Sequence, residues 1–221
     1  MKLAFIVEGK STEKKIYHQW VQYLIPKIKY IKLEEDFVDN SFKIISSEGY
    51  PFLLDTIKDF FKDVQEDASI DYIFICFDSE EDDYQTKYDL MKRYIKECPQ
   101  ISAGIKIIVQ HHCLETFLIS NRSINISRTS CETLKKYRDF YNVNVNDPEK
   151  ITSIDERTIA QFTYHYLKLL LKEKGLNYSK RNTKDVETRD YFNKIVKRYK
   201  DSKHIQSFGH FYEDMLQISQ Q

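Results

Sequence analysis

The chain has 221 residues, with 41% hydrophobic and 31% charged side chains and a formal net charge of zero. That composition describes a globular protein and excludes a disordered or collagenous one. Its longest fully apolar run is the six residues Tyr72 to Phe77, far short of the roughly 20 needed to cross a bilayer. The apolar start ends at Glu8 with no small-residue cleavage site after it, so a signal peptide is not expected and a cytoplasmic protein is. Cys76, Cys98, Cys113 and Cys131 form no C-x-x-C pair, which argues for reduced thiols over a zinc ribbon or a disulfide framework.

The zero net charge conceals an asymmetry. Residues 1–120 hold 15 Lys+Arg against 21 Asp+Glu, and residues 121–221 hold 19 against 13, balances of −6 and +6. An acidic half suits metal ions and a basic half suits a polyanion backbone, although ordinary surface scatter produces similar figures.

In chain order, Leu3–Val7 reads as a strand and Ser11–Leu24 as a helix with Ile16, Trp20, Tyr23 and Leu24 on one face. Phe42–Ser46 reads as a short strand and Pro51–Val64 as a helix. Tyr72–Phe77 is a continuous apolar strand of the kind buried on both faces. Asp82–Glu97 reads as a polar helix ending before Pro99, and Ile105–Val109 as a fourth strand. Such alternation predicts an α/β fold: a parallel sheet with helices on both faces. Beyond Asn121 the strand signal fades. Ser130–Tyr141, a start at Asp147-Pro148-Glu149, Asp155–Lys174 before Gly175, Val186–Tyr199 and His204–Ile218 read as helices. The expected organisation is an α/β core over residues 1–121 and a helical C-terminal extension over 122–221 packed on it, with Asn177–Asp185 a flexible basic loop.

The candidate chemistry lies where acidic residues follow the strands: Glu8-Gly9 after the first, Asp78-Ser79-Glu80-Glu81-Asp82-Asp83 after Phe77, and Glu115 shortly after Val109. Carboxylates at the carboxyl ends of parallel strands are where an α/β protein can build a Mg²⁺ site. If the strand continues to Glu80, Asp78 and Glu80 point the same way about 7 Å apart, with Glu8 on a nearby strand. The plainer reading of Glu80–Asp83 is the acidic first turn of a helix, favoured by the dipole. His111, His112 and Cys113 cannot all face one ion from an extended strand, so they read as the turn from strand to helix, with Cys113 inward and His111 or His112 open to substrate phosphate. In the second half Tyr178, Lys180, Arg181, Lys184, Arg189, Tyr191, Lys194, Lys197, Arg198, Tyr199 and Lys200 interleave. That mixture fits either strand binding or an amphipathic helix with Tyr191, Ile195 and Tyr199 inward.

Ile6-Val7-Glu8-Gly9, Ser11-Thr12-Glu13 opening a helix, and an apolar strand ending in Asp78-x-Glu80 together resemble the Toprim domain of topoisomerases, primases and OLD-type nucleases. The E-G-K-S-T-E spacing of residues 8–13 and Cys113-Leu114-Glu115 bring the resemblance closest to the RloB-like and OLD-type Toprim proteins of bacterial antiphage defence. It covers residues 1 to about 120. It implies a metal-dependent nuclease acting on DNA or RNA, tRNA included, with two Mg²⁺ or Mn²⁺ ions. Glu8, Asp78 and Glu80 are then catalytic and metal-binding, with Asp82 a further ligand candidate. Glu13, Glu115, His111 and His112 are auxiliary, and Lys10, Lys180, Arg181 and Lys184 contact nucleic acid. Glu80 departs from the family's Asp-x-Asp. An antiviral or abortive-infection role beside a separate ABC- or OLD-type ATPase is implied, because the chain has no G-x-x-x-x-G-K-[ST] loop; a homodimer is compatible. Two other readings stand beside it: a degenerate Toprim module that binds or regulates a partner, and a nucleotidyl-transferring primase relative.

Overall fold

The structure is a computed structural model describing residues 1–65, 69–125 and 128–220. The chain divides into two compact units, Met1–Phe77 with Tyr84–Val109 and Glu213–Gln221, and Asp78–Asp83 with Gln110–Tyr212.

In the first unit the apolar runs pair as expected. β1 (Lys2–Val7), β2 (Lys29–Tyr30), β3 (Ser41–Ser46), β4 (Tyr72–Asp78) and β5 (Gly104–Gln110) form one sheet in the order β2-β3-β1-β4-β5. β1 lies parallel to β3 and to β4, with Val7 opposite Ser46 on one side and Cys76 on the other. Leu3–Val7 and Ile73–Phe77 are wholly buried, which is why these strands are apolar without alternation.

Alternate residues serve the two faces. Ala4, Ile6, Ile73, Ile75 and Phe77 pack with Leu53, Ile57 and Phe61 of α2 (Tyr50–Val64) and Met91 of α3 (Tyr84–Glu97). On the other face Phe5 stacks on Phe74 at 4.6 Å and meets Tyr17 of α1 (Thr12–Leu24) at 6.1 Å. Such ring pairs add about 0.5–1.5 kcal/mol beyond their burial. The chain runs from β1 through α1 to β3, then back past β1 through α2 to β4. Right-handed crossovers taken in opposite directions put α1 and α2 on opposite faces, and the strand order reverses between β1 and β4.

Two local expectations change. The polar helix starts at Tyr84 and has no acidic residue in its first turn, so residues 81–83 form the turn before it. The Asp147-Pro148-Glu149 start yields one 3₁₀ turn, Pro148–Lys150, capped by Asp147. β2, two residues long, has no pattern by which it could be expected.

The second unit is helical: α4 (Leu114–Ile119), α5 (Glu132–Phe140), α6 (Ile159–Glu173), α7 (Arg189–Ser202) and the first half of α8 (Gln206–Ser219). α6 opens with a capping box in which Thr158 Oγ1 accepts from Gln161 N–H at 3.2 Å. It ends with Gly175 at φ +71° and Leu176 N–H bonded to the Leu171 carbonyl at 2.9 Å, the Schellman arrangement that calls for glycine. In α7, Tyr191, Ile195 and Tyr199 are buried while Lys194, Lys197 and Lys200 are exposed. The aromatic half of the basic-aromatic interleaving is therefore core. Arg198 is also core, 1% exposed.

Candidate functional site

At the end of β1, Glu8 is fixed by its backbone. Its N–H donates to the Cys76 carbonyl at 3.1 Å, and its carbonyl accepts from Ser47 Oγ at 3.0 Å and Gly49 N–H at 3.2 Å. The following turn explains the E-G-x-x-x-E spacing. Glu13, 5% exposed, sends its carboxylate back one turn to accept the Gly9 N–H, and a Cβ on Gly9 would run into that carboxylate. Gly9→Ala is accordingly expected to lower the melting temperature, and adding Glu13→Ala to recover part of the loss. Thermal melts of both single variants and the double variant check this; an additive double variant would show that the two residues are not coupled. Lys10 is on the surface, paired with Glu48, a contact of the kind worth about 0–1 kcal/mol.

In the second unit the acidic segment turns sharply after Asp78. Glu80 takes a left-handed conformation at φ 55°, so strand alternation does not extend to it, and the condition under which Asp78 and Glu80 would point the same way is not met. A non-glycine residue there costs about 1–2 kcal/mol, and its neighbours explain why it holds. Glu80 N–H donates to the His112 carbonyl at 2.9 Å, and His112 Nδ1 donates to the Glu80 carbonyl at 2.9 Å. His112 is itself left-handed at φ 61°. Ser79, fully buried, accepts the His112 N–H at 2.9 Å and meets His111 Nδ1 at 3.1 Å. The two histidines thus lock the turn together.

Burial and His112 push the His111 imidazole down to about 4, against the pull of Asp83 and Asp147. Its native form is neutral, whereas an unfolded His protonates near 6.5. Between those values the unfolded chain binds the extra proton, so this group's contribution to stability is lost as pH falls from about 6.5 to about 4 and changes no further below that. Melting temperatures at pH 7.5 and 4.5 should fall by less in His111→Gln than in the parent; equal falls would contradict this.

Asp78 and Glu80 nevertheless both line one cavity of about 330 Å³. Glu115 of α4 joins them, 6% exposed and accepting from Tyr178 OH at 2.8 Å. Lys180 lines the same cavity as the three carboxylates. Burial alone would lower its ammonium, but Glu115, Asp78, Cys113 and Glu80 together raise it. Thr158, Gln161 and Tyr164 at the start of α6 complete the wall. Glu81 accepts the Ile159 N–H at 2.6 Å and so complements the positive end of that helix. Cys113 also lines the cavity, but burial, Glu115 and Asp78 drive its thiol well above the ordinary range.

The structure brings Asp78, Glu80, Glu115 and Lys180 together. Asp82 is exposed in the turn, and His111 and His112 act as described above. Arg181 and Lys184 are exposed. The expected flexible loop is instead a pinned turn: Ser179 and Asn182 exchange backbone hydrogen bonds at 3.0 Å each, and Asp185 accepts Asn177 N–H at 2.7 Å. Sequence reasoning missed Thr158, Gln161 and Tyr164, although T-x-x-Q is itself a helix-start signal.

Hard carboxylate oxygens suit Mg²⁺ or Mn²⁺, and the donor set of this cavity fits such an ion chemically. Among the described residues, no three of His, Cys, Asp or Glu are gathered closely enough to hold a metal as they stand. No helix among those residues is long and apolar enough to cross a membrane. Compared with protein-family models, curated proteins and solved structures, the chain gives no match.

Proposed function

We propose that the protein is a Mg²⁺- or Mn²⁺-dependent nuclease that cuts phosphodiester bonds in DNA or RNA. The observation that carries this reading is the cavity in which Asp78, at the end of β4, meets Glu80, Glu115 and Lys180. In open parallel sheets, ligands bind beyond the carboxyl ends of strands where the order reverses; here that reversal is between β1, which Glu8 follows, and β4, which Asp78 ends.

In this proposal Asp78, Glu80 and Glu115, not gathered closely enough to hold an ion as they stand, swing together to hold it. A bound divalent ion supplies Lewis-acid charge and a water of lowered pKa. Tyr178, donating to Glu115, fixes the direction of that carboxylate. Lys180 meets the charge that gathers on the phosphate oxygens. Glu8 enters as a catalytic residue through the Toprim resemblance, and an ATPase partner and a role in antiphage defence enter through it alone.

The presence of Lys180 among the carboxylates favours one further reading: a silent module in which the ammonium neutralises them permanently and the protein docks to a partner. Incubation of the purified protein with plasmid, single-stranded DNA and bulk tRNA, in Mg²⁺, Mn²⁺ or EDTA, separates the two. Cleavage dependent on the ion supports the nuclease. Intact substrates under every condition, with or without an ATPase partner, would favour the silent module.

A further inference from the structure

A second cavity in the same unit, about 490 Å³, is lined from α5, α6 and the segment after α6. Its size is within the range of small-molecule sites, about 300–1,000 Å³. Its apolar part is made by Tyr137, Leu169, Leu176 and Tyr178, and its charge comes from Lys168 and Lys172. Of the three cavities described in this structure it alone has lysines and no carboxylate among its lining residues; the other two each carry three carboxylates.

The two lysines are one helical turn apart on α6, both exposed, and residues so spaced lie side by side on a helix. They can therefore close on one phosphate. His165 on the same helix is lowered by burial, Arg157 and Lys168, and so serves as a neutral hydrogen-bonding ring. Asn177 adds an amide with both donors and an acceptor. An anion of any kind would satisfy the lysines, but only a ligand with a flat apolar portion also uses the tyrosine and leucine wall.

We infer that this cavity binds a nucleotide, its phosphate on Lys168 and Lys172 and its base against the Tyr137–Leu169–Leu176–Tyr178 wall. Tyr178 links the two cavities: it lines this one, and its hydroxyl donates to Glu115, which lines the other. Tyr164, 6.0 Å from the Tyr178 ring, lines the carboxylate cavity and has the Lys168 ammonium 5.2 Å from its ring centre. An aromatic pair thus stands between them. Resting on the nuclease reading, the bound nucleotide is one of the substrate strand near the phosphodiester to be cut; a free nucleotide offers the same chemistry.

Calorimetric titration with 5′-AMP, a tetranucleotide and inorganic phosphate tests the inference on the parent, a Lys168→Glu/Lys172→Glu double variant and Asp78→Ala. We expect the tetranucleotide to bind, the double variant to weaken it by about tenfold or more, equivalent to about 1.4 kcal/mol, and inorganic phosphate to bind far more weakly. Matching behaviour of 5′-AMP shows that free nucleotide is also taken, while binding of the tetranucleotide alone shows that the site reads a strand. Binding of 5′-AMP should survive Asp78→Ala. No binding of either nucleotide ligand, binding indifferent to the double variant, or phosphate binding as tightly as the tetranucleotide would overturn it. Lysine-dependent binding without cleavage by the parent would sink the nuclease reading and leave this one, and cleavage with lysine-indifferent binding would do the reverse.

Discussion

Asp78→Ala is expected to reduce ion-dependent cleavage by at least about a hundredfold, since loss of even an outer-sphere partner of a metal costs about 10- to 100-fold in affinity or activity. The residue ends β4 and lines the carboxylate cavity, so its removal takes away one of three anionic side chains there. Glu115→Gln should cost less: the amide keeps an oxygen for Tyr178 but loses the charge. Glu8→Ala should match Asp78→Ala if the Toprim resemblance holds. Lys180→Met should separate substrate from ion, weakening cleavage while leaving Mn²⁺ binding intact or tighter, because the ammonium no longer competes for the carboxylates. Cleavage rates for the four variants, measured beside circular dichroism to confirm folding, give the comparison. Asp78→Ala cleaving within about threefold of the parent would contradict the site, given that one hundredfold is about 2.7 kcal/mol.

The largest stability loss is expected at Arg198, which the sequence sets in the interleaved run of basic and aromatic residues. The structure buries it on α7. Its Nη2 donates to the Asn146 carbonyl at 2.7 Å, Nη1 to the Asn144 carbonyl at 3.3 Å, and Nε to His204 Nδ1 at 3.2 Å. Burial, with Arg122, lowers the guanidinium to about 10, against Asp147 and Tyr141, so it stays charged at neutral pH. Arg198→Ala takes the charged donor away from three part-buried acceptors, and hydrogen bonds to a charged group contribute about 1.5–3 kcal/mol. At about 2–4 °C per kcal/mol for a chain of this size, the melting temperature should drop by about 6 °C. Arg198→Lys should fall between, since an ammonium cannot span the three acceptors as the planar fork does. A drop below about 2 °C for Arg198→Ala would show that the 144–147 segment does not depend on this residue.

Much of the first unit could be read from periodicity alone. Leu3–Val7 and Tyr72–Phe77 are apolar because both sheet faces are covered, and α1 and α2 carry their apolar residues at helical spacing. Glu8 and Asp78 could be ranked because each follows such a run. The rest depended on contacts far apart in sequence. Glu80 and Glu81 looked like the start of a helix, but Glu80 is held left-handed by His112, 32 residues on, and Glu81 serves the first N–H of α6, 78 residues on. No local signal announces either partner. Lys180 could be read as a phosphate contact in a basic loop, but its place in one cavity with Asp78, Glu80 and Glu115 could not. Cavity walls from α6 became visible only once the helix start at Thr158 had a position in space.

The proposed nuclease requires the Asp78, Glu80 and Glu115 cavity to hold a divalent ion. Titration of Mn²⁺ into the parent and into Asp78→Ala, followed by the electron paramagnetic resonance of the free ion, tests it without reference to substrate. Saturable Mn²⁺ binding by the parent is expected, displaced by excess Mg²⁺ and weakened by about tenfold or more in a folded Asp78→Ala variant. Absence of Mn²⁺ binding by the parent, or equal binding by the two proteins, would contradict it.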